Sequence, residues 1–520
     1  MTGFWKGIRG LFKKSKKKQD GAVPKGGAEQ KAISSSLDKN MRMMEELFRD
    51  VDILREREVR NVHDRRLRYC IYYCDGVVNS VAINENLIKA LMHSELTPAA
   101  GEDFVDTLIT RVVEICEAKR ADKVQEIVEA VVYGNTILFI DGQKEAVLLD
   151  TKAFQTRSVE EPDNERVLLG PREGFTESLM GNLSLIRRRA LTADLKMKQL
   201  TLGTRTRTKV FVCYMDSLVN KQVLEHLMKR LQSIDIDGIL DAHYITELID
   251  ESPWSPFRTI GYTERPDVVM GKLLEGRIAI FVDGTPVVLT VPYLFIENFQ
   301  SSEDYYMSFY YTTFSRLLRI IGFILTITVP GLYISVEAFH QEMFPLQLFI
   351  SIAAERSSVP LPAALEAFIM LILFDILRET GARMPITIGQ TLSIVGALVV
   401  GQAAVEAKLV AAPMVIISAL TGITGLLVPK LNAPAVHIRI LLLLLSTTFG
   451  FFGLLVGATC MIIHLLNLYS CGVPYLMLNK KLRYQNVKDI FIRAPWWQMI
   501  RRPAFAADSV RQSGRENGRG

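Results

Sequence analysis

Paired metal ligands are missing from this chain. Its six cysteines (Cys70, Cys74, Cys116, Cys213, Cys460, Cys471) are scattered, and its seven histidines (His63, His93, His226, His243, His340, His437, His464) never pair at metal spacing. Cys70 and Cys74 stand four apart, but no His or second Cys pair joins them. They read as reduced thiols in a cytosol-facing compartment. Phosphate-loop chemistry is missing too. Gly271-Lys272 lacks the preceding glycines, and no Gly-x-Gly-x-x-Gly follows a strand. Arg187-Arg188-Arg189 could bind phosphate, but a solvated or lobe-packing cluster fits it better. The apolar residues near the start are too few and too interrupted for a cleavable signal peptide, so none is expected. No catalytic constellation and no cofactor site emerges, which argues against an enzyme. The net charge of +5 is mild, and no nucleic-acid partner is expected.

What is present is a conflict of composition. Hydrophobic residues make up 49% of the 520, yet 22% are charged, and the mean hydropathy is +0.19. A polar half joined to an apolar half resolves this, with the split near Tyr311. The apolar half centres on Pro385 to Pro429, whose only charges are Glu406 and Lys408. It predicts two membrane helices, Ile386–Glu406 and Leu409–Val428, joined by a tight charged turn, each about twenty residues and so enough for a ~30 Å hydrocarbon layer. On the first, Gly389, Ser393, Ala397 and Gly401 form a stripe of small residues that lets another helix approach. Beside it run Gln390, Ile394, Leu398, Gln402 and Glu406, polar at both ends.

Residues 1–36 form a basic tail and linker. Phe4, Trp5, Ile8, Leu11 and Phe12 follow helical spacing among lysines and Arg9, which suits either an anionic membrane surface or a merely solvated tail. From Leu37, Met44, Leu47, Val51 and Leu54 space as one amphipathic helix, and Glu102–Lys119 and Ala121–Tyr133 read as further helices. An internal repeat follows. GNTILFIDGQKEAVLL (134–149) and GRIAIFVDGTPVVL (276–289) each give an apolar strand, Asp-Gly and a second strand, the signature of a tight hairpin. Each follows a short apolar helix, Val124–Val132 or Val268–Leu274. The expected organisation is an α/β N-terminal cytosolic region of two related lobes, 37–152 and 153–295. An all-α polytopic membrane domain, 296–470, and a basic cytosolic tail, 471–520, follow. In the second lobe Val210–Tyr214 reads as a strand, and Asn220–Gln232 and Ala242–Asp250 as helices.

The junction 292–311 carries Glu303, Asp304, Tyr305, Tyr306, Tyr310 and Tyr311, which suit a membrane–water interface. Ile320–Val336 reads as the first span, flanked by Arg316 and Arg319. Ile440–Asn467 reads as the last, about 42 Å of helix that must tilt or protrude, with a close-packing pair at Gly453 and Gly457. Met343–Gly381 is mostly apolar but holds Glu355, Arg356, Glu366, Asp375, Arg378 and Glu379, and is broken by Pro345, Pro360 and Pro362. It reads as a broken or re-entrant hairpin shielded by protein, or as an interfacial amphipathic pair. Glu366 is expected to pair with Arg378, with Asp375 or Glu379 as the alternatives. Basic residues before the first span and in the tail place both termini in the cytosol, which requires four or six crossings.

Several motifs then become specific. Thr263-Glu264-Arg265-Pro266-Asp267, Leu274-Glu275-Gly276-Arg277-Ile278-Ala279-Ile280, Val282-Asp283-Gly284-Thr285-Pro286, Pro253-Trp254-Ser255-Pro256-Phe257 and Leu365-Glu366-Ala367 stand in order. Together with Ile394 through Ala407 they resemble the spore germinant-receptor A-subunit family, over about 55–503. That resemblance implies a nutrient-responsive complex in the inner membrane of a bacterial endospore. The family's A subunits work with a transporter-like, nutrient-sensing B subunit and a C lipoprotein. Family models make them homo-oligomeric ion channels, with a pentamer favoured. A paralogous branch accompanies the dipicolinate-release channel as a germination amplifier, and a non-conducting membrane scaffold is the other alternative. If the chain conducts, the expected pore lining is Gln390, Ile394, Leu398, Val399, Val400, Gln402 and Glu406, with Glu406 repeated as a ring and Leu398 to Val400 as the constriction. Alternatively Glu406 pairs with Lys408 or caps the turn.

Overall fold

Strands of three to eight residues, the central ones apolar and punctuated by Asp-Gly turns, fold the N-terminal part into two antiparallel sheets. The computed structural model describes residues 32–95, 103–113, 115, 117–152, 165, 167–383, 399, 401–476, 489, 492–499 and 502. The first sheet contains β1 (Leu54–Arg60), β2 (Arg68–Cys74), β3 (Ala118–Ala121), β4 (Thr136–Ile140) and β5 (Ala146–Leu149), in the order β1-β2-β4-β5-β3. The second contains β6 (Leu195–Leu202), β7 (Thr208–Met215), β8 (Gly261–Thr263), β9 (Ile278–Val282) and β10 (Val288–Val291), in the order β6-β7-β9-β10-β8. The two orders are the same, strand for strand. Asp141-Gly142 joins β4 to β5, and Asp283-Gly284 joins β9 to β10, so the sequence repeat is a repeat of the fold.

Both turn glycines take left-handed backbone, with φ of 86° at Gly142 and 87° at Gly284. A Cβ added at either would meet nothing within 4 Å. Gly142→Ala and Gly284→Ala therefore isolate the backbone cost, about 1–2 kcal/mol each. Matched falls in the urea midpoint are expected; a fall at one site with none at the other would break the equivalence.

The chain's helices cover both faces of each sheet, which is why the central strands are apolar on both sides rather than alternating. α1 (Leu37–Leu47), α3 (Val124–Val132), α4 (Leu179–Arg189) and α7 (Pro266–Leu274) share one layer. Met44, Ile127, Ile186 and Val269 from these helices meet Tyr72 and Phe139 of one sheet and Phe211 and Phe281 of the other in a single apolar core. The opposite face of the first sheet takes helical residues 80–93 and α2 (Phe104–Arg111). That of the second takes α5 (Lys221–Gln232) and α6 (Ala242–Ile249). The lobes are also stitched edge to edge: Asp52 N–H donates to Met197 O at 2.9 Å, and Met197 N–H to Asp50 O at 3.1 Å.

Two helix expectations change. The helix from Leu37 stops at Leu47, because Leu54 opens β1. β1 is LREREVR, an edge strand whose charged residues face water, and it pairs with β2 over its whole length. Among its described residues, Glu102–Lys119 is helical over Phe104–Arg111, and its end joins β3.

Beyond the lobes, α8 (Phe309–Phe339) and the segment Pro429–Leu466 are long and apolar enough to cross a membrane, with mean hydropathy of 2.0 and 2.2. The expected first span, Ile320–Val336, lies inside α8. Between them stand α9 (Leu346–Arg356), α10 (Ala363–Arg383), helical residues 401–406 and α11 (Ala412–Gly425). Met343–Gly381 is broken at Pro360 and Pro362, giving a short α9 and a 21-residue α10.

The last apolar stretch is not one rod. α12 (Asn432–Leu466) folds back at Gly450, where φ is 59° and ψ −141°. A Cβ on Gly457 would lie 2.5 Å from Leu442 Cδ2, although fifteen residues of straight helix would separate them by about 22 Å. A Cβ on Gly453 would strike Leu445 O at 2.1 Å. The glycine pair thus packs the second arm of α12 against its own first arm. The arms, 432–449 and 451–466, measure about 27 and 24 Å, close to one hydrocarbon thickness. The expectation of a single tilted span is corrected accordingly. Hydropathy alone carries no sign of a reversal; only Gly450 does.

Candidate functional site

The contacts of α8 and α12 define two ends for the helical region. At the lobe end, Lys430 Nζ lies 3.8 Å from Glu165 Oε1, and Leu431 and Ala435 cluster with Phe257 and Tyr293 of the second lobe and Phe299 of the junction. The second arm returns to the same place. His464 Nε2 and Ser255 Oγ are 2.9 Å apart, and Ser470 Oγ receives Tyr293 N–H at 2.8 Å while donating to Thr259 O at 2.6 Å. At the far end, Gly450 sits against the Phe339 ring.

Buried charge fills the lobe-end junction. Arg316 is 0% exposed; its Nε donates to Asp304 Oδ2 and its Nη1 to Asp489 Oδ1, both at 2.7 Å. Arg319 reaches Asp304 Oδ1 at 3.1 Å and Phe299 O at 2.8 Å. Alongside, Lys272 and Arg277 both pair with Glu297. Tyr305 donates its hydroxyl to Asp489 at 2.6 Å. Asp304 and Tyr305 are therefore turned into protein and do not form part of an exposed interfacial group, as the sequence had led us to expect. Tyr306 and Tyr311 remain exposed. Arg265, also buried, pairs with Asp267 at 3.0 Å and donates to Pro171 O at 2.6 Å, and the Tyr306 hydroxyl donates to Asp267 at 2.7 Å. The motifs 263–267 and 274–280 thus supply the clamp between lobe and helices.

A second cluster lies toward the far end. Glu366 accepts the Ala411 N–H, at the start of α11, at 3.0 Å and faces Arg356 at 3.7 Å. Arg356 also pairs with Glu337 of α8. Nearer the lobe, Asp375 pairs with Arg439 of α12 and, at 2.9 Å, with Arg378. Arg378 thus takes Asp375, the alternative partner, and Glu379 takes Arg383 at 2.7 Å. The Glu366–Arg378 pairing is corrected: Glu366 meets α9 and α11 instead, because α10 carries the two residues to opposite ends of the bundle.

The lobes hold further buried polar groups. Burial pulls the Arg187 guanidinium below its ordinary pKa; its Nη1 donates to Thr192 O at 3.1 Å. Arg188 and Arg189 both pair with Glu173, so the arginine run packs the lobe. Burial also pushes the Cys70 thiol up to about 12 and that of Cys74 upward. A cavity of about 180 Å³ between the sheets is lined by Asp52, Arg55, Asp75, Ser178, Lys209 and Asp283 among others. Among the described residues, no three His, Cys, Asp or Glu side chains gather as metal ligands.

This architecture meets a known family. The model described as "Bacillus/Clostridium GerA spore germination protein" matches residues 42–505. The chain belongs to the GerA family. As an A-subunit-type GerA protein it acts in spore germination and is not an enzyme, and membership implies a receptor complex with B- and C-type subunits. Among its relatives, Spore germination protein KA of Bacillus subtilis (strain 168) is 39% identical over 485 residues, covering 92% of this chain and 89% of the relative. The uncharacterized membrane protein YfkQ of the same organism is 42% identical over 448 residues, covering 85% and 86%. The crystal structure of the N-terminal domain of the A subunit of the Bacillus megaterium spore germinant receptor GerK3 aligns with a TM-score of 0.40 and 31% identity. It covers 51% of this chain and 98% of that one.

In this GerA chain most of the expected pore helix, including Gly389, Gln390, Ser393, Ile394, Ala397, Leu398 and Val400, lies outside the described residues. Val399 is exposed. Gly401 is buried, and a Cβ there would touch Val415 of α11 at 3.4 Å. Gln402 and Glu406 are exposed, with Gln402 Nε2 donating to Glu406 Oε1 at 3.0 Å. No Glu406–Lys408 ion pair occurs among the described residues; Lys408, with φ of 55°, ends the helix by donating its N–H to Val405 O at 2.9 Å. The residues that sequence reasoning missed are Glu337 and Arg439. Arg439 falls just outside a span drawn from Ile440, yet it is buried and paired. Its closeness to an apolar run was the available signal.

Proposed function

We propose that this chain is an A-type subunit of a nutrient germinant receptor in the endospore inner membrane, and that copies of it, five in the family picture, enclose an ion-conducting path. A B-type transporter-like subunit senses the nutrient and a C-type lipoprotein completes the complex. One observation carries the conducting reading. On residues 401–406, Gln402 and Glu406 point away from the protomer's own core while Gly401 packs inward. A carboxylate and an amide on the outer face of an apolar bundle are costly against lipid and favourable against water. Repeated around an axis, Glu406 becomes a ring that favours cations. Both termini face the cytosol in this reading, since α8 leaves from the second lobe and α12 returns to it.

Conductance of the protein in planar bilayers, alone and with its B- and C-type partners, tests this. Leu398→Ala is expected to leak without nutrient, because a smaller apolar constriction no longer dewets. Glu406→Gln should weaken cation preference. Wild-type flux and selectivity in both variants, at normal protein level, would move the path to another helix. Absence of conductance in every combination would leave a scaffold.

A further inference from the structure

We propose that the loop 253–257 of the second lobe is a membrane-interface anchor, with the Trp254 indole seated among the lipid headgroups of the lobe-side leaflet. Trp254 is 98% exposed, the most exposed large apolar side chain in the described residues. Its loop is nevertheless firmly held. Pro253 and Pro256 restrict the backbone, and Ser255 N–H closes a turn on Ser252 O at 2.9 Å. Glu251, just before it, accepts Gly472 N–H at 3.0 Å. The indole is therefore presented by a fixed loop.

The level of that presentation is set by α12. Ser255 Oγ and His464 Nε2 are 2.9 Å apart, and the Phe257 ring lies 6.1 Å from the His464 ring. His464 is in the last turn of the second arm. Ile462, Ile463 and Leu466 around it are exposed apolar side chains, so the lipid-facing surface of the arm extends at least to the level where the loop touches it. Trp254 lies one residue, about 3.8 Å of backbone, from that contact. An indole at the rim of an apolar surface, with its N–H free to meet water or headgroups, is where tryptophan is enriched in membrane proteins. Arg258, exposed immediately after the loop, adds a positive charge toward anionic headgroups, its guanidinium over the Tyr262 ring at 4.8 Å. The start of α8 matches it: Tyr311, Phe314 and Trp497 are exposed there, and Trp497 packs edge-on against Phe309. The lobe-side ends of both long apolar elements thus carry exposed aromatic groups. This inference is independent of whether the helices conduct.

The test uses the full chain in liposomes made with lipid brominated near the headgroup. The sequence has four tryptophans, Trp5, Trp254, Trp496 and Trp497. Replacing the other three by Phe leaves Trp254 as the sole reporter. Its emission should be blue-shifted relative to the denatured protein, lose most of its intensity in brominated lipid, and be shielded from aqueous iodide. Where the triple variant does not accumulate, the difference between wild type and Trp254→Phe gives the same quantity. Emission that brominated lipid leaves untouched overturns the proposal. Free quenching by iodide would then make the loop water-facing, and shielding from iodide would assign the indole to a protein contact.

Discussion

Asp304→Ala is expected to destabilise the chain by about 3–5 kcal/mol, the usual cost of leaving a buried charge without its partner. Asp304 is 2% exposed and serves two guanidiniums, Arg316 and Arg319. Without it, Arg319 keeps the Phe299 carbonyl and Arg316 keeps Asp489. The loss should appear as a lower thermal midpoint in detergent and as earlier protease cleavage in 292–308, between lobe and helices. Asp304→Asn, which keeps an acceptor but not the charge, should fall between. An unchanged midpoint for Asp304→Ala would mean that Asp489 alone neutralises Arg316, and that the junction is a surface feature.

Arg356→Ala should have an effect of similar size for the opposite reason. Arg356 faces two carboxylates, Glu337 and Glu366, which are 7% and 1% exposed. Its removal leaves two buried anions side by side, again about 3–5 kcal/mol. The arithmetic of charge makes a sharper forecast. Glu366→Gln alone keeps an acceptor for the Ala411 N–H and leaves one carboxylate to one guanidinium, so it should cost little. Combined with Arg356→Ala, it should recover a large part of the lost stability. Thermal midpoints of the two single variants and the double variant give the coupling directly. Additive losses would show that the three groups do not share one balance.

The lobes were legible because their signal is local. Each Asp-Gly turn lies between two short apolar runs, so strand, turn and strand are written within sixteen residues. β1 was not legible, because LREREVR has no apolar alternation: an edge strand draws its order from β2, which lies elsewhere in the sequence. The membrane region was legible as apolar helices, and the charges scattered through 343–381 set that stretch apart from a simple lipid-facing span. Their partners were not, since Glu366 meets Arg356 across a proline break and Asp375 meets Arg439 some sixty residues on. Glu366 and Arg378 stand about 18 Å apart along one helix, whereas Asp375 and Arg378 are one turn apart and pair. Gly401 and Glu406 fall on separate faces, as their stripes require, but the stripes' earlier members lie outside the described residues.

The fold-back at Gly450 has a mechanical consequence. The start of α8 and both feet of α12 are fastened to the second lobe, through Tyr306–Asp267, Lys430–Glu165 and Ser470–Thr259. Three of the helical rods are thereby one rigid body with that lobe, like a staple whose two legs share a base. Such a body can tilt, but its rods cannot slide past the lobe that holds them. Any displacement that travels from the lobes must therefore be taken up in the portion between α8 and α12. That portion holds α9, α10, residues 401–406 and α11, and it is fastened to the staple by the Glu337–Arg356–Glu366 group at one end and by Asp375–Arg439 nearer the other.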